Sequence, residues 1–211
     1  MKKISVYGAG GHGKVVAELA STTFGYSSVD LYDEDTTLGP NIGPWPMKGN
    51  FDSMISNLEE NSHVIVGIGN IDIRRNRLQQ LDKLKIQLPS LTHSSATVSQ
   101  LSQIGNGTVL LANSTVNPFT TVGIGVIINT AASIDHDCNI SDFCHISPGA
   151  HLGGNVTLGT STWIGIGSIV KQGVNIGNNV IIGAGSNVLS DIPNNVVAFG
   201  NPAKIVRKIE C

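Results

Sequence analysis

Aliphatic residues recur at every sixth position through the second half of the chain. From Val98 to Val188, sixteen consecutive sixth positions hold only Leu, Ile or Val, and we call them the hexapeptide ladder. Neither the 3.6-residue period of an α-helix nor the two-residue alternation of an open sheet produces this spacing. A six-residue repeat suits a short strand and a corner, so that three repeats close one triangular coil of about 18 residues. The ladder therefore predicts a stacked parallel β-helix of about five coils.

Small residues and glycines accompany the ladder. Residues four positions after a ladder residue are small or slim, as expected where a large side chain would collide with the next coil: Ser102, Thr108, Ser114, Thr120, Ala132, Cys138, Cys144, Ala150, Thr162, Ser168 and Ser186. Glycine often follows the ladder residue directly, where we expect it to form the turns: Gly105, Gly123, Gly153, Gly159, Gly165, Gly177 and Gly183. Because nothing interrupts the ladder, we expect no long loop to leave the coils.

The first part of the chain has a different pattern, in which strand-like and helix-like runs alternate. The predicted strands are Ile4–Tyr7, Val29–Tyr32, His63–Ile68 and Ile86–Leu91, and the predicted helices are Gly13–Ser21, Phe51–Leu58 and Asp72–Leu84. This order is typical of a parallel sheet with crossover helices. We predict a small Rossmann-like α/β domain over residues 1–91, followed by an all-β domain over residues 92–211.

Composition and charge exclude several functions. The chain has a net charge of −2 and only 13 Lys and Arg, so a basic nucleic-acid-binding face is not expected. No apolar stretch approaches the roughly 18 residues of a membrane span. The three cysteines, an odd number with no signal peptide before them, fit a reducing compartment. We therefore expect a cytoplasmic protein without a membrane span.

A glycine-rich loop lies at the start of the chain. Residues 8–13 read Gly-Ala-Gly-Gly-His-Gly, follow a predicted strand, open a predicted helix and match G-x-G-x-x-G. Asp33 and Glu34 come after the second strand, where an acid that binds a ribose belongs. A ligand-free tight turn, NAD binding and binding of another nucleotide all remain open. The half-sized domain argues against NAD because it lacks a second mononucleotide-binding unit.

One histidine stands out as a candidate general base. His136 lies two residues after the ladder residue Ile134, near a corner, with Asp135 and Asp137 on either side. An adjacent carboxylate can fix the tautomer of an imidazole and stabilise the imidazolium that forms during proton transfer. Either aspartate is a possible partner. A metal site is not expected at Cys138, Cys144, His145 and His151, because the cysteines should point inward and His145 outward.

The ladder resembles the left-handed parallel β-helix of the hexapeptide acyltransferases, and its handedness is inferred from that resemblance alone. Almost the whole chain resembles one subfamily. The features that carry this resemblance, besides the ladder, are Gly8–Val16, the turn at residues 67–70, and Arg74 and Arg75. It is that of the bacterial nucleotide-sugar N-acetyltransferases, typified by the enzyme that acetylates UDP-4-amino-4,6-dideoxy-N-acetylglucosamine. The sialic acid O-acetyltransferases are close relatives.

The resemblance implies a set of site residues. It assigns His136 as general base with Asp137 as its partner, and it implies a homotrimer with active sites between subunits and no metal. The co-substrate acetyl-CoA is expected to contact His145, Gly154, Ile166, Gly167 and Ala184, with Gly154 binding the thioester oxygen. The nucleotide sugar is expected near Gly10, Gly11, His12, Asp33 and Glu34.

Several alternatives remain for the reaction itself. O-acetylation of sialic acid or CMP-sialate, N-acetylation of a GDP- or dTDP-linked amino sugar, and a scaffold without activity are all compatible with the repeat. The acceptor atom is not determined by the sequence, because the same histidine can deprotonate an amine or a hydroxyl.

Overall fold

The computed structural model describes residues 2–22, 25–59 and 61–210. The chain forms two compact units that divide between Thr92 and His93. The helices and strands of the first unit are β1 (Lys2–Tyr7), α1 (Gly11–Thr22), β2 (Tyr26–Tyr32), β3 (Asn41–Ile42), β4 (Trp45–Pro46), α2 (Phe51–Ser56), β5 (His63–Val66), α3 (Ile71–Lys83) and β6 (Leu91–Thr92).

The first unit is built on a small parallel sheet. Its strands lie in the order β2-β1-β5, with β1 at the centre, and β3 and β4 form a short antiparallel hairpin. The side chains of Asn50 and Asn70 cap α2 and α3, since each accepts a hydrogen bond from the backbone three residues further on. In a parallel sheet whose connections leave the central strand in both directions, the loops at the carboxyl ends form a ligand crevice.

The strand predicted over Ile86–Leu91 is not formed as such. Only an isolated parallel bridge joins Gln87 to His63, and the separate two-residue β6 follows. Pro89 has no N–H to donate to a continuous strand ladder, which explains the interruption. The hairpin of β3 and β4 was not predicted.

The second unit is a parallel β-helix with a terminal hairpin. Its sixteen two-residue strands are β7 (Thr97–Val98), β8 (Gln103–Ile104), β9 (Val109–Leu110), β10 (Thr115–Val116), β11 (Thr121–Val122), β12 (Ile127–Ile128), β13 (Ser133–Ile134), β14 (Asn139–Ile140), β15 (His145–Ile146), β16 (His151–Leu152), β17 (Thr157–Leu158), β18 (Trp163–Ile164), β19 (Ile169–Val170), β20 (Asn175–Ile176), β21 (Ile181–Ile182) and β22 (Asn187–Val188). Each strand from β7 to β19 pairs in parallel with the strand 18 residues further on, as in Ser133↔His151. The last two strands, β23 (Val196–Gly200) and β24 (Ala203–Lys208), are antiparallel.

The ladder forms the core of the coils. Every ladder residue from Leu110 to Val188 is at most 2% exposed, whereas Val98 and Ile104 in the first coil are partly buried. Full burial of one such aliphatic side chain contributes roughly 1.5–3 kcal/mol, so the ladder is the main source of stability in this unit. The small parallel sheet and the stacked coils confirm the predicted fold class.

The corners differ from the sequence-based expectation. Positive φ occurs three residues after the ladder residue, and the positions are Gly107, Asn113, Phe119, Gly125, Ala131, Asp137, Phe143, Gly149, Asn155, Ser161, Gly167, Gly173, Asn179 and Gly185. The glycine directly after the ladder residue has another role, because a Cβ on Gly105 would lie 2.5 Å from the Gly123 carbonyl. The prediction that these glycines form the turns was therefore wrong, and they permit close approach of the next coil.

No helix among residues 2–22, 25–59 and 61–210 is long and apolar enough to cross a membrane.

Candidate active site

The corners of the β-helix stack into three edges, each of which we name by one residue. The His136 edge comprises residues 117–119, 135–137, 153–155 and 171–173. The Asp142 edge comprises residues 123–125, 141–143, 159–161 and 177–179. The Ala184 edge comprises residues 129–131, 147–149, 165–167 and 183–185. These three edges separate the three parallel sheets of the coils.

His136 is exposed on its edge and forms a close pair with Asp137. The distance between His136 Nδ1 and Asp137 Oδ2 is 2.7 Å. Asp137 has φ of 58°, so its side chain projects from a left-handed corner position. The hydrogen bond to Asp137 and the charge of Asp135 raise the pKa of His136 above its usual value. With Nδ1–H donated to the carboxylate, Nε2 is the nitrogen that can accept a proton.

Asp135 is engaged elsewhere in the same corner. Its Oδ1 accepts hydrogen bonds from Asn117 Nδ2 at 2.8 Å and from the His136 backbone N–H at 2.9 Å. These two hydrogen bonds lower the pKa of Asp135. The geometry therefore pairs the imidazole ring of His136 with Asp137, while Asp135 holds the backbone.

Gly154 lies one coil beyond His136 and is in close contact with its ring. A Cβ at Gly154 would lie 2.6 Å from both Cε1 and Nε2 of His136, so any side chain here would displace the imidazole. Glycine at this position leaves room for the His136 ring beside the coil.

The edges also differ in whether their outward backbone N–H groups have a hydrogen-bond acceptor. At the Asp142 edge, the N–H of Ile124 donates to Asp142 Oδ1 and that of Thr160 donates to Asn178 Oδ1, both at 2.8 Å. Among the described residues, the N–H groups of Gly154 and Ala184 have no such acceptor. Two corners at which the resemblance implies acetyl-CoA contacts therefore keep a hydrogen-bond donor available.

His145 lies on a sheet face rather than at an edge. Its ring stacks on that of Trp163, with centroids 5.5 Å apart and an interplanar angle of 5°. The amide nitrogen of Asn129 is 3.1 Å from His145 Nε2. His145 is only 8% exposed, less than expected for a side chain that points outward. Trp163 and Asn129 were not among the predicted site residues, although Trp163 follows His145 by one 18-residue coil.

Ile166, Gly167 and Ala184 all lie on the Ala184 edge. Ile166 is 60% exposed, and Gly167 has φ of 65°. These three residues and His136 belong to different edges, so of the predicted acetyl-CoA residues only Gly154 lies against the imidazole within one chain.

The glycines of the first unit fall into two groups. Gly8 has φ of 106°, and a Cβ on Gly13 would overlap the Gly8 carbonyl oxygen, so the fold itself requires both glycines. At Gly10 and Gly11 no atom lies within 4 Å of an added Cβ, and neither has positive φ. Folding does not explain these two glycines, and they leave bare backbone at the N-terminus of α1.

The predicted acids stand beside this loop. Asp33 Oδ2 accepts the N–H of Ala9 at 2.6 Å and therefore holds the loop in place. Glu34 Oε1 accepts the Tyr7 hydroxyl at 2.7 Å and pairs with Arg77 at 3.0 Å. Both carboxylates thus lie close to the loop that begins at the end of β1.

His12 is neutral in this environment. Burial, with a smaller effect of the Arg74 charge, lowers the pKa of His12 to about 4. Arg74 is almost completely buried, and its Nη1 donates to the carbonyl oxygens of Ile68 and Gly69 at 3.0 and 2.9 Å. A positive group at this end of the sheet is therefore Arg74, which fixes the turn after β5.

Within the described ranges, no cluster of three or more His, Cys, Asp or Glu side chains is arranged to hold a metal ion.

The hexapeptide β-helix, with a histidine paired to an aspartate at one edge, fits the class of hexapeptide acyltransferases. Comparison with known proteins narrows this class. Residues 3–81 match the family model described as the PglD N-terminal domain. The acetyltransferase domain of PglB from Neisseria gonorrhoeae is 40% identical with a TM-score of 0.94, and the match covers 98% of this chain and 100% of that one.

Two further relatives support the acyltransferase class. PerB from Caulobacter crescentus, solved with CoA and GDP-perosamine, is 32% identical with a TM-score of 0.90, and 98% of each chain is covered. Galactoside O-acetyltransferase from Lactococcus lactis is 62% identical over 45 residues, which are 21% of this chain and 22% of that protein. The chain thus matches about a fifth of the length of this curated relative. It belongs to the nucleotide-sugar N-acetyltransferases of the hexapeptide-repeat family, and the predicted acyltransferase class is confirmed.

Proposed function

We propose that the protein transfers the acetyl group of acetyl-CoA to the 4-amino group of UDP-4-amino-4,6-dideoxy-N-acetylglucosamine. The observation that carries the chemistry is the imidazole of His136, bonded through Nδ1 to Asp137 and in contact with Gly154 through Nε2. PglB has been solved with acetyl-CoA and PerB with CoA and GDP-perosamine, which supports both substrate classes.

His136 acts as the general base. Its Nε2 takes a proton from the amine as the amine nitrogen attacks the thioester carbonyl carbon and the C–N bond forms. The C–S bond then breaks, and the CoA thiolate recovers the proton from the imidazolium. The carboxylate of Asp137 orients the ring and stabilises its charged form between these steps.

Gly154 supplies the oxyanion donor. The carbonyl oxygen of the thioester gains negative charge in the tetrahedral intermediate, and the uncapped N–H of Gly154 lies beside the base that creates this intermediate. One preorganised donor of this kind is typically worth about 10²–10³ in turnover.

The nucleotide binds at the carboxyl end of the small sheet. The bare backbone at Gly10 and Gly11 and the N-terminus of α1, where His12 is neutral, receive the diphosphate. Asp33 and Glu34 accept hydrogen bonds from the ribose and the base. The imide N–H of uracil and the ribose hydroxyls offer donors to these carboxylates.

The acyl donor binds between two copies of the chain. His136 lies on one edge, whereas Ile166, Gly167 and Ala184 lie on another, and His145 lies on a sheet face. A homotrimer of prisms packed side by side brings the His136 edge of one copy to the Ala184 edge of the next. A monomeric mass by light scattering at micromolar concentration would contradict this arrangement.

We place the reaction in the cytoplasm, which fits the free, buried thiols of Cys138 and Cys144. Fractionation that recovers the protein outside the cytoplasm would contradict this placement.

Release of free CoA thiol from acetyl-CoA across UDP-, GDP- and dTDP-linked 4-amino sugars tests the substrate. We expect the highest kcat/KM with the UDP sugar, and we expect UDP to raise the melting temperature more than GDP, CMP or NAD does. A preference for the GDP sugar would show that the nucleotide is GDP rather than UDP. A thermal shift with NAD alone would overturn our interpretation of the glycine loop.

O-acetylation is the second candidate, because the Lactococcus lactis relative is an O-acetyltransferase. Sialate and CMP-sialate in the same panel distinguish the two. Acetylation of these hydroxyl acceptors without acetylation of any amino sugar would favour this alternative.

A further inference from the structure

Cys138 is a buried side chain directly beneath the proposed oxyanion donor. It is 2% exposed, and its Sγ lies 3.3 Å from the carbonyl oxygen of Gly153 and 3.6 Å from that of His136. Burial raises the pKa of the Cys138 thiol, so the group keeps its proton and remains a donor. The shorter contact assigns the S–H to Gly153.

This contact shows where the next N–H points. The carbonyl of Gly153 and the N–H of Gly154 belong to one planar trans peptide, in which they point in opposite directions. Because the carbonyl faces the thiol inside the coil, the N–H of Gly154 faces outward, to the side on which the His136 ring lies.

The preceding coil shows the same arrangement, with a hydrogen-bond partner for both the carbonyl and the N–H of the peptide. Thr120 Oγ1 donates from inside the coil to the carbonyl oxygen of Asp135 at 2.7 Å. The following N–H, that of His136, points outward and is bound by Asp135 Oδ1. At this position of the repeat, an inward donor thus accompanies an N–H that points to the outside.

A second cysteine provides the comparison. Cys144 Sγ donates to the carbonyl oxygen of Gly159 at 3.1 Å, and the N–H that follows, that of Thr160, donates to Asn178 Oδ1. The Thr160 peptide is thus held from inside and outside. Among the described residues, the Gly153–Gly154 peptide has only the inner hydrogen bond from Cys138.

We propose that Cys138 is a positioning residue, whose thiol holds the Gly153–Gly154 peptide so that the Gly154 N–H is aimed at the thioester oxygen. The inference rests on the proposed function, because it assumes that this N–H binds the oxyanion. Cys138 does not itself touch the substrate.

The repeat offers an isosteric pair of substitutions. Threonine occupies the same repeat position and donates to a carbonyl at Thr108, Thr120 and Thr162, and valine occupies it at Val126, Val156, Val174 and Val180. Cys138→Thr therefore keeps a donor, and Cys138→Val removes it with the same shape. The matched control is the same pair at Cys144.

We expect Cys138→Val to have kcat about tenfold below that of Cys138→Thr, a fraction of the effect of losing an oxyanion donor. KM for acetyl-CoA should stay within about twofold, and the two Cys144 variants should have equal kcat. Equal kcat for the two Cys138 variants, or an equal loss for the Cys144 pair, would overturn the proposal.

An amide resonance distinguishes failure of this inference from failure of the proposed function. The Gly154 amide resonance should shift between Cys138→Thr and Cys138→Val, whereas that of Thr160 should not, and this holds whichever sugar is acetylated. If Gly154 does not shift, Cys138 does not hold this peptide. If it shifts but the wild-type protein acetylates no sugar in the panel, the proposed function fails and the positioning of the peptide stands.

Discussion

The His136 edge and the Asp142 edge are made from the same repeat, but they treat their outward N–H groups differently. At the Asp142 edge, Asp142 and Asn178 cap the N–H groups of residues 18 positions earlier. At the His136 edge, Gln172 occupies the position that Asn178 has on its own edge, and the N–H of Gly154 has no acceptor among the described residues. On our proposal, this corner without a cap supplies the donor that binds the thioester oxygen.

Removal of the His136 imidazole should lower turnover more than any change at the Asp142 edge. His136→Ala is expected to lower kcat at least about 10²-fold, because the amine then loses its general base. Asp142→Ala, at the capped edge, should leave kcat within about twofold and cost about 1 kcal/mol of stability for the lost hydrogen bond. Steady-state kinetics and denaturant unfolding measure both variants. A loss below threefold for His136→Ala would exclude His136 as the base.

Gly154→Ala should have the next largest effect. The added Cβ would lie 2.6 Å from the His136 ring, which must move, and misplacement of this size costs about 10–10²-fold in kcat. If the collision is the cause, the substitution should cause little further loss in a His136→Ala background. Full additivity of the two losses would show that Gly154 acts independently of the ring.

Part of this contrast was predictable from the sequence, because the ladder fixes which residues share an edge. The spacing placed His136, Gly154 and Gln172 in register, and it set Ala184 apart. It did not distinguish Asp135 from Asp137, since that choice depends on the positive φ of Asp137 and on the hydrogen bond from Asn117 to Asp135.

Other features depend on neighbours that are distant in sequence. The burial of His145 comes with the stacked ring of Trp163. The 18-residue register makes the two residues neighbours, but it does not determine that their rings stack. The prediction of a strand over Ile86–Leu91 was wrong. It relied on the aliphatic residues of this segment and did not allow for Pro89, which cannot donate a backbone hydrogen bond. The glycines after ladder residues were assigned to turns because a sequence shows their flexibility, whereas the approach of the next coil appears only in the fold.

Asp137→Asn should have a smaller effect on rate and a distinct effect on pH dependence. We expect kcat about tenfold lower, since an amide orients the ring but stabilises its charged form poorly. The base must be neutral, so wild-type activity falls as pH drops through the raised pKa of His136. Without the Asp137 charge this pKa falls, and the acidic limb of the profile moves to lower pH. Asp135→Asn should keep kcat within about threefold, and the reverse ranking of the two variants would make Asp135 the partner.

The smallest expected effect comes from exchanging the caps between the edges. Gln172→Asn gives the His136 edge the side chain that caps Thr160 from Asn178, one coil beyond the N–H in each case. The new amide should bind the Gly154 N–H, lower kcat about fivefold and add roughly 0.5–1 kcal/mol of stability. Asn178→Gln should do the opposite at the other edge, with stability lost and kcat unchanged. If Gln172→Asn stabilises the protein without slowing it, the Gly154 N–H is not the group that binds the oxyanion, because a capped donor cannot serve the thioester.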